Sequence, residues 1–442
     1  MIEAGLVSQY SEELMTGLGP LFVRPESYRT CRDYLHALMA DLPRVNCWTL
    51  AEHAGHDRPD RMQYLLERAS WDTEAARAAV RGFVTGQLAD DQAVLIFDES
   101  GHEKDGIATV GVARQYTGTV GKVTNCVNAV YCTYASPAGH TLCDVRLYLP
   151  RTWADDQARR DDAGVPEQVR FASKPDLARE MLAVHLAAGT RFRWVAADAV
   201  YGRDPQLRAA IENAGKGYVL QVPCDFRVQL GCGRRMRADQ AAKLIEDQPW
   251  PNLYSAGPGS KGERLYRWGW IGTASTRHSL LIRQSLTNPD ELAYYWCHTP
   301  DDQPAPLPVL VKVAGQRWPV EEDLKHGKQH AALTDSQVRT WTAWHRHQLL
   351  SIAALAIKAV AAARARHHHT PPPQPQDPDQ PPPADLTPIP LTVPEIGRLH
   401  ALLNRAWQPI QHHLHWSLWR RLHQARARWY HHRARLAINL PP

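Results

Sequence analysis

The sequence is poor in the features that mark secreted and membrane chains. It has eight cysteines in 442 residues, with no CxxC pair and no regular spacing, which excludes a disulfide framework and a zinc knuckle. We read them as reduced thiols of a cytosolic protein. No basic stretch followed by an apolar core opens the chain, so no secretory leader is expected. The longest apolar run, 349–363, is Ala-rich and carries Lys358, too weak a pattern for a membrane span. Acidic side chains vanish after Glu395. With 44% apolar and 22% charged residues, most of the chain should fold, and its length allows two to four domains.

The net charge of +5 is unevenly placed. The acid-free tail carries Arg398, Arg405, Arg420, Arg421, Arg426, Arg428, Arg433 and Arg435, interleaved with Trp407, Trp416, Trp419, Trp429 and Tyr430. Such a mixture suits a polyanion, most simply nucleic acid. The competing reading is a helical tail that packs its Trp face on the body. Eleven prolines fall in 370–394 and favour an extended linker, so the tail is expected to be uncoupled from the body.

Residues 1–88 have helical periodicity. Within them, Cys47–Gly55 and Pro59–Leu66 resemble a helix-turn-helix, which would turn Arg58, Arg61 and Gln63 toward DNA. An ordinary helical hairpin fits the same pattern. From residue 92 the texture changes. Gln92–Phe97 is a short apolar strand expected to stop at Asp98, and 119–134 and 141–149 form an antiparallel hairpin. A helix over 175–188 leads to a second buried strand, 192–197, stopping at Asp198, with a further helix over 207–214. This order indicates an α/β core with a mixed sheet. Residues 217–300 are strand-like and rich in Gly and aromatics. Long helices resume at Pro319.

Functional groups gather just beyond strand ends, so Asp98 and Asp198 lie side by side if their strands are neighbours. Two adjacent carboxylates repel unless a cation separates them, and a hard ion such as Mg²⁺ prefers oxygen ligands. The alternative is two ordinary turn or cap aspartates. On the helix that begins near Pro319, Val320, Leu324, Gly327 and Ala331 form the packed stripe. Glu321 lies about 100° from it and Glu322 about 200°. Lys325 and Lys328 share the face of Glu321. Asp323 borders the other flank, and periodicity alone does not exclude it. A surface Glu–Lys helix pair is the simpler local reading.

Taken in order, Asp98-Glu-Ser-Gly, Gly111–Gly118, Asn125-Cys-Val-Asn128, Tyr134-Ala-Ser-Pro, Leu147–Trp153, Ala197-Asp-Ala-Val-Tyr-Gly202, the Arg317/Glu321/Lys328 set, Gln337–Trp341 and His345-Arg-His resemble the DD(E/D) transposases of bacterial insertion sequences. The resemblance covers roughly 20–360. It is narrower for the branch with a β-rich insertion between the second Asp and the Glu. The branch signature's Tyr falls at Ala314, before the helix, a departure that touches positioning of the DNA end.

The resemblance implies an α/β fold: an RNase H-like mixed sheet with flanking helices, interrupted by a β-rich insertion, with a helical N-terminal domain and a helical C-terminal tail. The implied domains are 1–88 (DNA-binding), 89–216 (first part of the core), 217–305 (insertion), 306–366 (core helices bearing the Glu), 367–394 (linker) and 395–442 (basic aromatic tail). It implies cleavage of element ends and joining of the 3′-hydroxyls to target DNA. Two Mg²⁺ ions, with Mn²⁺ as substitute, would be held by Asp98, Asp198 and Glu321. Arg317, Lys325 and Lys328 would meet phosphates. A Trp of the insertion, Trp250, Trp268, Trp270 or Trp296, would stack on an extruded base, although the core is the commoner place for any one of them. Double-stranded DNA is the expected partner, with at least a dimer on paired ends, in the bacterial cytoplasm at the nucleoid. An inactive, DNA-binding descendant and a nuclease acting on RNA hybrids are the alternatives.

Overall fold

The computed structural model describes residues 2–246, 252–259, 262–300, 305–366, 388–404 and 407–437. Most of the proline-rich segment and Trp250 lie outside these residues. Five helices open the chain: α1 (Ile2–Leu18), α2 (Pro25–Leu38), α3 (Cys47–His53), α4 (Asp60–Glu67) and α5 (Thr73–Gln87). Their start signals are local. Pro25 opens α2, Asn46 forms a capping box on α3, and Asp72 caps α5 by accepting from Ala75 N.

The sheet then begins. Strands β1 (Val94–Glu103), β2 (Ala113–Thr117), β3 (Lys122–Ser136) and β4 (Gly139–Leu147) are antiparallel neighbours. The short helices α6 (Arg151–Ala154) and α7 (Gln157–Ala163) follow, and then α8 (Lys174–Ala187), capped by Ser173. Strand β5 (Trp194–Ala197) pairs parallel with β1. Helices α9 (Ala199–Gly202) and α10 (Pro205–Asn213) lead to β6 (Gly217–Val222), parallel with β5. Four antiparallel strands, β1 to β4, followed by β5 and β6 running parallel with β1, make an RNase H-like core.

The strand-rich segment does not form a separate sheet. Beyond a small hairpin of β7 (Arg227–Gln229) and β8 (Arg235–Arg237) and helix α11 (Ala238–Glu246), four strands follow: β9 (Asn252–Gly259), β10 (Gly262–Gly272), β11 (His278–Gln284) and β12 (Leu292–His298). β12 pairs antiparallel with β6, so these strands extend the core sheet to ten strands. Sequence texture placed β6 at the start of the insertion, yet its apolar run is buried inside the shared sheet.

Helices α12 (Leu307–Gly315), α13 (Trp318–His330) and α14 (Trp341–Arg366) close the core. Ala314 lies within α12, ahead of α13. α14 is long and apolar enough to cross a membrane by composition alone, but almost all of it is buried in this fold. It packs on α1, α2, α4, α5 and β4, so the N-terminal helices share one hydrophobic core with the sheet. Finally, α15 (Val393–Leu403) packs on α1 and α14, and α16 (Ile410–Ala437) reaches α3.

The tail is therefore not uncoupled from the body. Trp416 is fully buried and its Nε1 donates to His56 O (2.9 Å). Trp419 meets Trp48 edge-on, and Arg420 pairs with Glu52 at 2.6 Å. The heptad-like spacing of His412, Trp416, Trp419 and His423 builds the face that docks on the hairpin.

Candidate active site

The parallel register of β1 and β5 ends at Phe97 with Ala197, so Asp98 and Asp198 are the next residue on each strand path. β1 itself does not stop at Asp98. Its antiparallel pairing with β3 continues to Glu103, so Asp98 sits mid-strand where β5 runs out. Asp198 leaves β5 and caps α9, accepting from Val200 N (2.8 Å). Gly202 ends that turn against the backbone of β6. A Cβ there would collide with the Gln221 carbonyl oxygen, which is why the Asp-Ala-Val-Tyr stretch must end in Gly.

The helix stripe behaves as its periodicity requires. Val320, Leu324, Gly327 and Ala331 are buried, Glu322 is exposed, and Glu321 sits between these extremes. Asp323, left open by the sequence, is sealed away, accepting from Thr133 Oγ1 (3.0 Å) and pairing with His140 Nδ1 (2.8 Å). It pins α13 to the sheet and does not face the cleft.

Arg317 joins the remaining carboxylates. Its Nη1 lies 3.4 Å from Asp98 Oδ2, and its Nη2 donates to Glu321 Oε1. Asp98 and Glu321 line a common open cleft of about 480 Å³, together with Ser100, Thr119, Lys325 and Lys328. Lys325 is exposed, and Lys328 donates to Thr119 Oγ1 (3.3 Å). Oxygens of Asp98, Glu99 and Asp198 lie within 4.8 Å of one another. Burial pushes the Asp98 carboxyl up to about 7; Arg317 opposes the shift while Asp198 and Glu99 add to it. Burial raises Asp198 as well, with Glu99 contributing.

Sequence reasoning missed the group that braces this site. Glu99 accepts from Lys174 Nζ (2.7 Å) and from Tyr201 O–H (2.9 Å), tying β1 to the heads of α8 and α9. The only signal was its place beside Asp98, and the alternation of a strand argued against a shared role. The hairpin residues Arg58, Arg61 and Gln63 are all exposed and lie apart from the cleft, with Arg61 and Gln63 lining a groove against α2. Trp268 is a core residue donating to Tyr254 O, Trp296 stacks on His278, and Trp270 is 40% exposed.

Asp98 and Asp198, both with raised carboxyl pKa values, crowd against Glu99 beside the Arg317 guanidinium, an oxygen-rich arrangement that suits a hard divalent cation. An RNase H-like sheet with paired aspartates beside a helix-borne glutamate defines the class of acidic-site nucleic-acid enzymes. The chain belongs to the DDE superfamily endonuclease family, whose model matches residues 14–261, more than half of the chain. That match contains Asp98 and Asp198; Glu321 lies beyond it. The chain is also 27% identical over 201 residues to a probable transposase for insertion sequence element IS701 from Microchaete diplosiphon. The match covers 45% of this chain, and the chain spans about half the length of that relative.

Proposed function

We propose that this protein is the transposase of an insertion sequence, cleaving the element's ends and joining the freed 3′-hydroxyls to target DNA. What supports the reading is that strand register sets Asp98 beside Asp198, while Arg317 contacts both Asp98 and Glu321 across one cleft. These three carboxylates would hold two Mg²⁺ ions, with Mn²⁺ as substitute. Bound ions supply activation of the attacking oxygen and stabilisation of the leaving one. Arg317 holds Asp98 and Glu321 in place and offsets their charge. Lys325 and Lys328 line the approach and meet the phosphates. Glu99, anchored by Lys174 and Tyr201, fixes the strand that carries Asp98.

In this reading residues 1–88 recognise the element end, with Arg58, Arg61 and Gln63 on the exposed side of the hairpin. Residues 89–222 and 306–366 form the catalytic core and 223–305 the insertion. Residues 367–394 link the core to a basic tail, 395–442. Double-stranded DNA is the partner, and two copies act on paired ends in the bacterial cytoplasm. The test is incubation of the full chain with its own element-end DNA and Mg²⁺. Strand cleavage that exposes a 3′-hydroxyl at the element boundary, abolished by EDTA, supports the reading. Tight end binding without cleavage in Mg²⁺ or Mn²⁺ replaces it with a DNA-binding descendant.

A further inference from the structure

A second cluster of ligand-type side chains lies inside the fold. Cys132 on β3, Cys143 on β4 and His185 on α8 are all buried. His185 Nε2 is 3.6 Å from Cys132 Sγ and 3.7 Å from Cys143 Sγ, and the three ligand atoms lie within 4.8 Å of one another. The β3–β4 register explains why two cysteines converge. Cys132 pairs with Asp144 and Thr133 with Leu142, so Cys143 is the extra residue of a bulge. Bulges re-aim a side chain, here toward the neighbouring strand's thiol.

We propose that Cys132, Cys143 and His185 form a binding site for one thiophilic d¹⁰ cation, Zn²⁺ or Cu⁺. Two features support it. With Zn–S near 2.3 Å and Zn–N near 2.0 Å, a tetrahedral ion places its N and S ligands about 3.5 Å apart. The two N–S separations, 3.6 and 3.7 Å, come close to that edge. His185 Nδ1 lies 3.2 Å from Thr190 Oγ1. An N–H donated there fixes the tautomer and leaves the Nε2 lone pair toward both sulfurs, the outer-shell arrangement of metal-ligating histidines.

Soft sulfur ligands separate this site from the oxygen-lined cleft by chemistry. Each thiol gives up its proton as the cation binds, and burial means the ion enters during folding. Cys132 pairs with Phe97, the residue before Asp98, so the ion would stiffen the sheet beside the carboxylates. The rival is an apo pair of hydrogen-bonded thiols, since Cys143 Sγ also lies 3.4 Å from Cys132 O.

The test is elemental analysis of the full chain expressed with added Zn²⁺ or Cu²⁺, washed with EDTA under native conditions. One Zn or Cu per chain is expected, retained in Asp98→Asn and lost in Cys143→Ser and His185→Gln. X-ray absorption at the metal edge of the wild-type chain reads sulfur in the first shell, so the result stands even if a variant fails to fold. A metal-free chain, or a bound metal with only nitrogen and oxygen neighbours, overturns the proposal.

Discussion

Arg317 reaches from the head of α13 to Asp98 on β1, its Nη1 lying 3.4 Å from Oδ2. The same guanidinium holds Glu321, so one cation spans two carboxylates supplied by distant parts of the chain. Replacing Asp98 by Asn, Asp198 by Asn or Glu321 by Gln should each reduce end cleavage at least about 100-fold, a loss of roughly 3 kcal/mol of transition-state stabilisation. End binding should persist, because removing negative charge does not weaken contact with a polyanion. Glu322→Gln, on the exposed face, should cleave normally. A cleavage gel beside a mobility-shift titration decides it, and loss in Glu322→Gln with activity in Glu321→Gln would reverse the assignment.

The Asp98 carboxyl gives a pH test with a defined sign. Its ordinary value is 3.8, and burial moves it up to about 7 in the metal-free fold. Between those values the native state holds a proton that the unfolded chain has lost. Stability therefore falls as pH rises through this window, and the cost is fully present above about pH 7. Asp98→Asn removes the cost. In EDTA at pH 8 the variant should melt about 2–4 °C above the wild-type chain, and the two should coincide near pH 4. Added Mg²⁺ should raise the wild-type melting temperature at pH 8 much more than that of the variant. Thermal melts across the pH range measure both differences.

Much of the site was legible because its parts obey short-range rules. Apolar runs ending in Asp marked β1 and β5, and the 3.6-residue stripe on α13 separated Glu321 from Glu322. Asp323 stayed ambiguous because its burial depends on Thr133 and His140, from strands far away in sequence. The continuation of β1 past Asp98 was hidden for the same reason, since only pairing with β3 sustains it. Docking of the tail was legible as the competing reading, a Trp-bearing face packed on the body, but its landing place at Trp48, Glu52 and His56 was not. Spacing defines which side of a helix is apolar and says nothing of what covers it.

Gly202 should resist substitution despite standing four residues from Asp198. The turn of α9 lies against β6, and any side chain must push the two apart. Gly202→Ala should cost about 1–3 kcal/mol, as overpacking does, and displace the cap that orients Asp198. Cleavage should fall more than end binding. A variant with unchanged melting temperature and unchanged cleavage would show that the turn yields freely.

The tail divides into a docked half and a free half, and the two should fail differently. Trp416 is buried on the hairpin, with Trp419 against Trp48 and Arg420 on Glu52. Trp416→Ala should therefore destabilise the fold by about 3 kcal/mol. Beyond His423, Arg426, Arg428 and Arg433 are exposed or half-exposed, as are Trp429 and Tyr430. Deleting 424–442 removes them without touching the docked face, so the melting temperature should hold. If those arginines meet phosphates, each lost contact lowers the slope of log K against log salt by about 0.9, and losing three or four changes the slope measurably. Titrations at several salt concentrations, run beside melts of both variants, separate packing from DNA contact. An unchanged slope in the deletion would leave the free half solvating the helix and take it out of DNA binding.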